Sequence, residues 1–126
     1  MKTNPVSWFE IPVTDMERAV KFYESLLEVK LSRILLGPLE MAIFPQAETD
    51  SGSAGSLVLH KEYYKPSQDG ILVYFTAQSG DLSDELSRVE KVGGKIIIPK
   101  RKISDKFGFM AIVLDTEGNR IALHSR

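Results

Sequence analysis

Few residues in this chain are able to do chemistry. The 126 residues include no cysteine, so proton transfer or metal binding must use histidine, carboxylate, tyrosine or serine side chains. There are two histidines, His60 and His124, and each ends a short apolar run. Glu10 lies in another apolar run near the amino terminus. Because histidine titrates near neutral pH and a half-buried glutamate can be tuned towards it, these three side chains are candidates for acid–base catalysis.

The element that would position His124 is a predicted β-hairpin at residues 107–125. Two apolar runs flank Asp115-Thr116-Glu117-Gly118-Asn119, and a Gly-Asn pair beside Asp and Thr is typical of a tight turn that needs positive φ. The second of these runs, residues 120–124, is similar to residues 56–60, and both end in histidine. A single module is therefore predicted to occur twice.

Both modules are predicted to have the element order βαβββ. In the first module, an alternating strand at residues 6–11 precedes a helix that Asp15 caps. The remaining strands of this module are predicted at residues 29–36, 39–44 and 56–60. The second module has a strand at 71–77, a helix from Asp81 to Gly93-Gly94, a short strand at 95–98 ended by Pro99, a basic loop at 100–106 and the hairpin.

These elements predict one α+β domain over residues 1–126. Module one covers about residues 5–60, residues 61–70 form a linker, and module two covers about residues 71–126. One helix is expected to cover one face of each sheet. Because the other face of each sheet is also apolar, the two sheets are predicted to curl around a shared cavity.

The composition narrows the possible partners. A formal net charge of −1 argues against binding to nucleic acid or to an anionic membrane surface. The chain has no apolar run of membrane-spanning length and no signal-peptide core, so a cytoplasmic protein is expected. The basic run Lys100-Arg101-Lys102 is interpreted as solvated surface, or alternatively as a gate for an anionic ligand. A small molecule or another protein is the expected partner.

Four stretches of the sequence resemble one known superfamily. They are Trp8 to Ala19, Phe22-Tyr23, Gly93-Gly94-Lys95 and Leu114 to Ile121. Together they are similar to the vicinal oxygen chelate superfamily, which contains glyoxalase I, bleomycin-resistance proteins, fosfomycin-resistance proteins and extradiol dioxygenases. The resemblance covers nearly the whole chain and implies two βαβββ modules around a cavity. It also implies a homodimer in which modules of two chains pair or swap.

The resemblance also implies where a metal ion would bind. The superfamily's metalloenzymes hold a divalent ion with histidine, glutamine or glutamate from the first and last strands of each module. The matching positions here are Trp8, Val58, Leu72 and Ala122, and all four are apolar. Divalent ions need several oxygen or imidazole ligands that converge on one point. No metal and no other cofactor is therefore predicted, although a divalent ion bound by other residues remains an alternative.

The polar residues Glu10, His60, Tyr74 and His124 each lie two positions along the strand from one of these apolar positions. Strand alternation would place them on the same cavity-facing side, where they could form a displaced polar cluster. Alternatively, both histidines are solvated or hydrogen-bonded structural groups. Trp8 is expected to face the cavity, as a stacking wall or as core packing, while Phe9 faces a helix. The predicted ligand-binding set is Trp8, Glu10, Val58, His60, Leu72, Tyr74, Ala122 and His124.

Three functions from different classes fit these residues. The first is a protein that binds a small organic molecule in a metal-free cavity, as resistance proteins do. The second is a glyoxalase-like lyase or isomerase in which Glu10, His60 or His124 transfers a proton or recruits a divalent metal. The third is a regulatory or scaffold domain with a vestigial cavity.

Overall fold

The computed structural model describes residues 2–49 and 51–126 and confirms the predicted α+β fold of two βαβββ modules. The first module contains β1 (Trp8–Pro12), α1 (Met16–Leu27), β2 (Ser32–Leu36), β3 (Leu39–Ile43) and β4 (Ala54–Leu59). The second contains β5 (Val73–Thr76), α2 (Leu82–Leu86), a short 3₁₀ helix (Glu90–Val92), β6 (Lys95–Ser104), β7 (Gly108–Leu114) and β8 (Arg120–Ser125). Among the described residues, no helix is long and apolar enough to cross a membrane.

Each module forms one four-stranded mixed sheet. The strand order is β1-β4-β3-β2 in the first sheet and β5-β8-β7-β6 in the second. The first and last strands of each module, β1 with β4 and β5 with β8, pair in parallel, and the other neighbours are antiparallel. The two modules that are similar in sequence therefore also have the same strand order and the same strand directions.

Helix α1 begins with a local signal that the sequence carries. The carboxylate of Asp15 accepts a hydrogen bond from the backbone N–H of Arg18, which is the usual N-cap arrangement. The helix ends at Glu28, which adopts the left-handed conformation with φ 56°. One apolar stripe of α1 is buried, because its apolar residues recur at helical spacing. The buried residues are Met16, Ala19, Val20, Phe22, Tyr23, Leu26 and Leu27.

The core lies between the two modules, on the helix-bearing faces of both sheets. An aromatic cluster marks its centre, where Phe9, Phe44, Phe75 and Tyr23 lie with ring centroids 5.5–5.8 Å apart. These rings come from both modules. The guanidinium of Arg88 in the second module also donates to the backbone carbonyl of Leu26 at the end of α1, at 2.8 Å. The modules therefore share one core.

The turn of the closing hairpin fastens the second module to the start of α1. The side chain of Glu117 is fully buried and accepts hydrogen bonds from the backbone N–H groups of Thr14 and Asp15, both at 2.9 Å. Arg18 completes the arrangement with an ion pair to Glu117 at 2.7 Å. Burial opposes ionisation of this carboxyl, but hydrogen bonds from Arg18, Asp15 and Thr14 outweigh it and lower the pKa of Glu117 to about 2. We call this set the Glu117 fastening.

Two element predictions are wrong in extent. Strand β6 continues through Pro99 to Ser104, so most of the predicted basic loop at residues 100–106 is strand. The pairing with β7 shifts register between Ile98 and Arg101, and β6 is an edge strand, which is where a proline can be accommodated. The second helix is also shorter than predicted, because α2 ends at Leu86 and a 3₁₀ turn follows before Gly93.

Candidate functional site

Strand alternation divides each sheet into a core face and an outer face, the outer face being turned away from the helices. In β1, Phe9 packs in the aromatic cluster and lies over Gly55 of β4, where an added Cβ would come within 2.4 Å of the Phe9 ring. Trp8 and Glu10 therefore lie on the outer face, as the alternation predicted. Trp8 is 38% exposed. The strand register places Glu10 beside Ser56.

The carboxylate of Glu10 is held by two neutral donors on this outer face. The hydroxyl of Tyr64 donates to one carboxylate oxygen at 2.6 Å, and the indole Nε1 of Trp8 donates to the other at 3.2 Å. The hydrogen bond to Glu10, with a smaller contribution from burial, raises the pKa of the Tyr64 hydroxyl above its usual value of 10.0. Tyr64 therefore acts as a donor here.

Tyr64 comes from the linker, and the sequence analysis did not include it among the site residues. Its only signal was the aromatic composition of residues 61–70, which is unusual for a solvated linker. Nothing in its spacing indicated that it would reach across 54 positions to Glu10. The Glu10 cluster, defined as Glu10, Trp8 and Tyr64, thus combines a strand that was predicted with a loop contact that was not.

His60 follows β4 directly, and its imidazole is hydrogen-bonded within its own loop. Its Nδ1 accepts hydrogen bonds from the backbone N–H groups of Glu62 and Tyr63, at 3.1 and 3.3 Å. The imidazole also stacks on the Tyr63 ring, with centroids 5.1 Å apart. Because Nδ1 is an acceptor in this arrangement, the imidazole carries its proton on Nε2. His60 can donate a hydrogen bond from Nε2, but it has no free ring nitrogen to act as a base.

The second sheet carries the other predicted residues. Tyr74 lies beside Ala122 in the parallel pair of β5 and β8, and His124 lies beside Met110 of β7. A ring nitrogen of His124, Nε2, lies 2.6 Å from the carbonyl oxygen of Phe107. Since a carbonyl can only accept, Nε2 of His124 is the donor, and its Nδ1 is left as an acceptor when the ring is neutral.

The structure therefore places the eight predicted residues in two groups on the two outer faces. Trp8, Glu10, Val58 and His60 belong to the first sheet and the chain that follows it, and Leu72, Tyr74, Ala122 and His124 belong to the second sheet and the residues just before it. Within residues 2–49 and 51–126, no hydrogen bond or ion pair joins one group to the other. Two open surface depressions lie elsewhere, one along α1 and one beside β2 and β3.

The residues at the four metal-ligand positions do not fit a divalent ion. Val58 and Ala122 are fully buried and have no side-chain donor atom. Leu72 has none either, and the one nitrogen of Trp8 is an N–H group that donates to Glu10. In the part of the chain that the structure describes, no three acidic, histidine or cysteine side chains converge to hold an ion.

Comparison with known proteins supplies the remaining evidence. The sequence model of one protein family, the Glyoxalase/Bleomycin resistance protein/Dioxygenase superfamily, matches residues 6–123 of this chain. No curated protein matches the chain. Among solved structures, the chain is similar to a glyoxylase/bleomycin resistance protein/dioxygenase domain from Frankia sp. EAN1pec, with 18% identity, 98% of each chain covered and a TM-score of 0.74.

Two further structures are similar to this chain. One is glyoxalase I from Zea mays, with 20% identity and a TM-score of 0.68; the match includes 96% of this chain and 46% of the maize protein. The chain thus spans about half of the maize protein. The other is TnmS3, an antibiotic binding protein from Streptomyces sp. CB03234, with 23% identity, a TM-score of 0.66 and coverage of 99% of this chain and 98% of that one. At these identities the likeness shows the fold.

Proposed function

Because the chain belongs to the Glyoxalase/Bleomycin resistance protein/Dioxygenase superfamily, we propose that it binds a small organic molecule in a metal-free cavity formed by the outer faces of its sheets. The observation that carries this proposal is the Glu10 cluster. A carboxylate whose two oxygens are oriented by Tyr64 and Trp8 stands beside an exposed indole face. Few polar groups on an otherwise apolar surface are typical of small-molecule sites.

The rest of both outer faces supports a binding surface of this kind. Four apolar side chains on these faces are buried although they lie outside the core that the helices cover, namely Met41, Val58, Met110 and Ala122. They fill space beneath the accessible surface and do not themselves offer contact area to a ligand. Trp8 and Tyr74 are 38% and 50% exposed, and these two rings would provide the accessible apolar contact.

Binding is favoured over catalysis by the state of the three acid–base candidates. Both histidines have one ring nitrogen bonded to the backbone, and His60 has no acceptor nitrogen left. Glu10 already accepts from two donors. A general base must reach the proton that it removes, and the two candidates that keep acceptor capacity, Glu10 and Nδ1 of a neutral His124, lie on different sheets with no hydrogen bond between them among the described residues. We therefore rank a lyase or isomerase second.

We also propose that two copies complete the cavity, with the first sheet of one chain facing the second sheet of the other. Exposed apolar side chains support this arrangement. Ile34, Leu35 and Leu36 of the edge strand β2 are 39%, 79% and 59% exposed, and Tyr74 on the outer face of the second sheet is 50% exposed. A partner chain would cover apolar surface of this kind.

The test is a thermal-shift screen of the purified protein with a broad set of small organic molecules, together with metal analysis of the same sample. A binder raises the melting temperature, because it stabilises the folded state only. The stabilisation should disappear in Trp8→Ala and persist in Val6→Ala, which truncates another exposed side chain just before β1. A stoichiometric divalent ion whose removal abolishes a turnover activity would refute the proposal.

A further inference from the structure

Unlike the carboxylates of Glu17 and Glu40, the Glu10 carboxylate has no positively charged side chain within 4.0 Å among the described residues. Glu40 pairs with Arg33 at 2.9 Å, and Glu17 pairs with the same arginine at 2.8 Å. Glu10 is half-buried, and among residues 2–49 and 51–126 its carboxylate accepts side-chain hydrogen bonds from the neutral donors of Tyr64 and Trp8. Its position is therefore fixed while no side-chain cation neutralises it.

Aromatic rings border this carboxylate. The Trp8 indole and the Tyr64 phenol are bonded to it directly, and beyond Tyr64 the rings of Tyr63 and His60 stack on each other. Trp8 is 38% and Tyr63 79% exposed, so both rings are accessible to a ligand. The faces of aromatic rings carry negative electrostatic potential and attract cations. The rings and the carboxylate thus favour the same charge in a ligand.

The charged groups nearby do not oppose this preference. His60 is a neutral imidazole in the arrangement described, because its Nδ1 accepts two backbone N–H groups. The linker lysines, Lys61 and Lys65, are exposed, and neither lies within 4.0 Å of the Glu10 carboxylate. The ammonium of Lys65 is instead bonded to the carbonyl of Lys61 at 3.2 Å.

We infer that the ligand of this site is an organic cation that carries a flat apolar group. This inference rests on the proposed function, which it deepens by naming a chemical class. The positive nitrogen lies against Glu10, and the flat group stacks on Trp8. A charged ligand nitrogen supplies the partner that Glu10 lacks within the chain, and the indole face contributes both apolar contact and attraction for the charge.

The single tryptophan allows a direct test, because the indole N–H of Trp8 gives one resonance in a nitrogen–proton correlation spectrum. Three bicyclic probes of similar size are titrated: 1-methylquinolinium, neutral quinoline and quinoline-2-carboxylate. We expect 1-methylquinolinium to shift this resonance saturably and to bind about tenfold more tightly than quinoline, with quinoline-2-carboxylate weakest.

Two substitutions locate the charge preference. Glu10→Gln should reduce the tenfold preference for the cation to about twofold, because it removes the carboxylate charge, keeps an acceptor for Tyr64 and leaves the indole face in place. Glu90→Gln makes the same change of net charge on the exposed 3₁₀ helix and should leave the tenfold preference intact. In the wild type, raising the ionic strength to about 0.5 M should weaken the binding of 1-methylquinolinium and leave that of quinoline unchanged, a measurement that needs no variant.

Each outcome separates this inference from the proposed function. If quinoline and 1-methylquinolinium bind equally well to the wild type, the inference is wrong and the proposed binding site stands. A tenfold preference for the cation that survives undiminished in Glu10→Gln also overturns it. If none of the three probes shifts the Trp8 resonance, the inference fails, and the thermal-shift screen, which includes uncharged and anionic compounds, decides the proposed function separately.

Discussion

Replacing Glu117 by glutamine should destabilise the protein in a way that depends on pH. The carboxylate of Glu117 joins the turn between β7 and β8 to the start of α1 through hydrogen bonds from Thr14, Asp15 and Arg18. Glutamine has nearly the same shape and keeps one acceptor oxygen, but it cannot form the ion pair. The substitution therefore tests the charge of the Glu117 fastening with little change in packing.

The size of the effect follows from the pKa. The pKa of Glu117 falls from its ordinary value of 4.5 to about 2 in the folded protein. At 1.36 kcal/mol per pKa unit, ionisation contributes at most about 3 kcal/mol to the free energy of unfolding at neutral pH. Because the folded pKa is lowered, this contribution is fully present above pH 4.5 and is lost as the pH falls towards about 2.

Urea unfolding of the wild type and Glu117→Gln, monitored by Trp8 fluorescence from pH 7 down to pH 2, measures the difference. We expect the wild type to be more stable by about 2–3 kcal/mol at pH 7 and the gap to close between about pH 4.5 and pH 2. Other carboxyl groups that titrate in this range are present in both proteins, so they cancel. Glu90→Gln should show no such gap. A gap that stays constant with pH would refute the assignment of the stabilisation to the Glu117 charge.

Three further predictions concern assembly, metal binding and backbone geometry. Light scattering at micromolar concentration should give about twice the chain mass of 14.1 kDa, and a value near 14.1 kDa would contradict the proposed pairing of outer faces. The double variant Trp8→His with Ala122→Glu should be less stable than the wild type without metal, because Ala122 is fully buried. Zinc or nickel should restore this stability, as measured by melting temperature. If the metal stabilises the double variant no more than it stabilises Ala122→Glu alone, the two positions do not share a cavity. Gly108→Ala should lower the free energy of unfolding in urea by at least about 2 kcal/mol, because φ is +80° and the new Cβ would lie 2.4 Å from the carbonyl oxygen of Ser125. The control Gly70→Ala, whose new Cβ meets nothing within 4 Å, should be nearly neutral. Equal losses in the two variants would contradict this geometry.

Sequence reasoning succeeded where local chemistry determines the structure. Asp15 caps α1 because its side chain is short and acidic, and the turn with Gly118 forms because glycine accepts φ of 88°. Alternation in β1 correctly separated Phe9 from Trp8, since a shift by one residue would have exposed Phe9. These features depend on neighbours within a few positions.

The features that sequence reasoning missed depend on distant contacts. Pro99 was predicted to end its strand, but an edge position with a shifted register accommodates it. Tyr64 joins the site through a hydrogen bond to Glu10, and its spacing could not indicate this. The turn residues Glu117 and Asn119 were interpreted as turn formers, whereas they also bond to Asp15 and Pro12 more than a hundred positions away.

The Glu117 fastening also has a consequence for how the protein is made. The backbone N–H of Thr14 and the carboxylate that binds it are separated by 103 positions, so the ribosome must add about another hundred residues before the first helix can acquire this partner. Until then the start of α1 lacks its hydrogen bonds to Glu117, and the aromatic rings of Phe9 and Tyr23 lack their contacts with Phe75 until that residue is made. We therefore expect cotranslational folding of the first module to remain incomplete until the hairpin of the second module supplies the carboxylate that binds the start of α1.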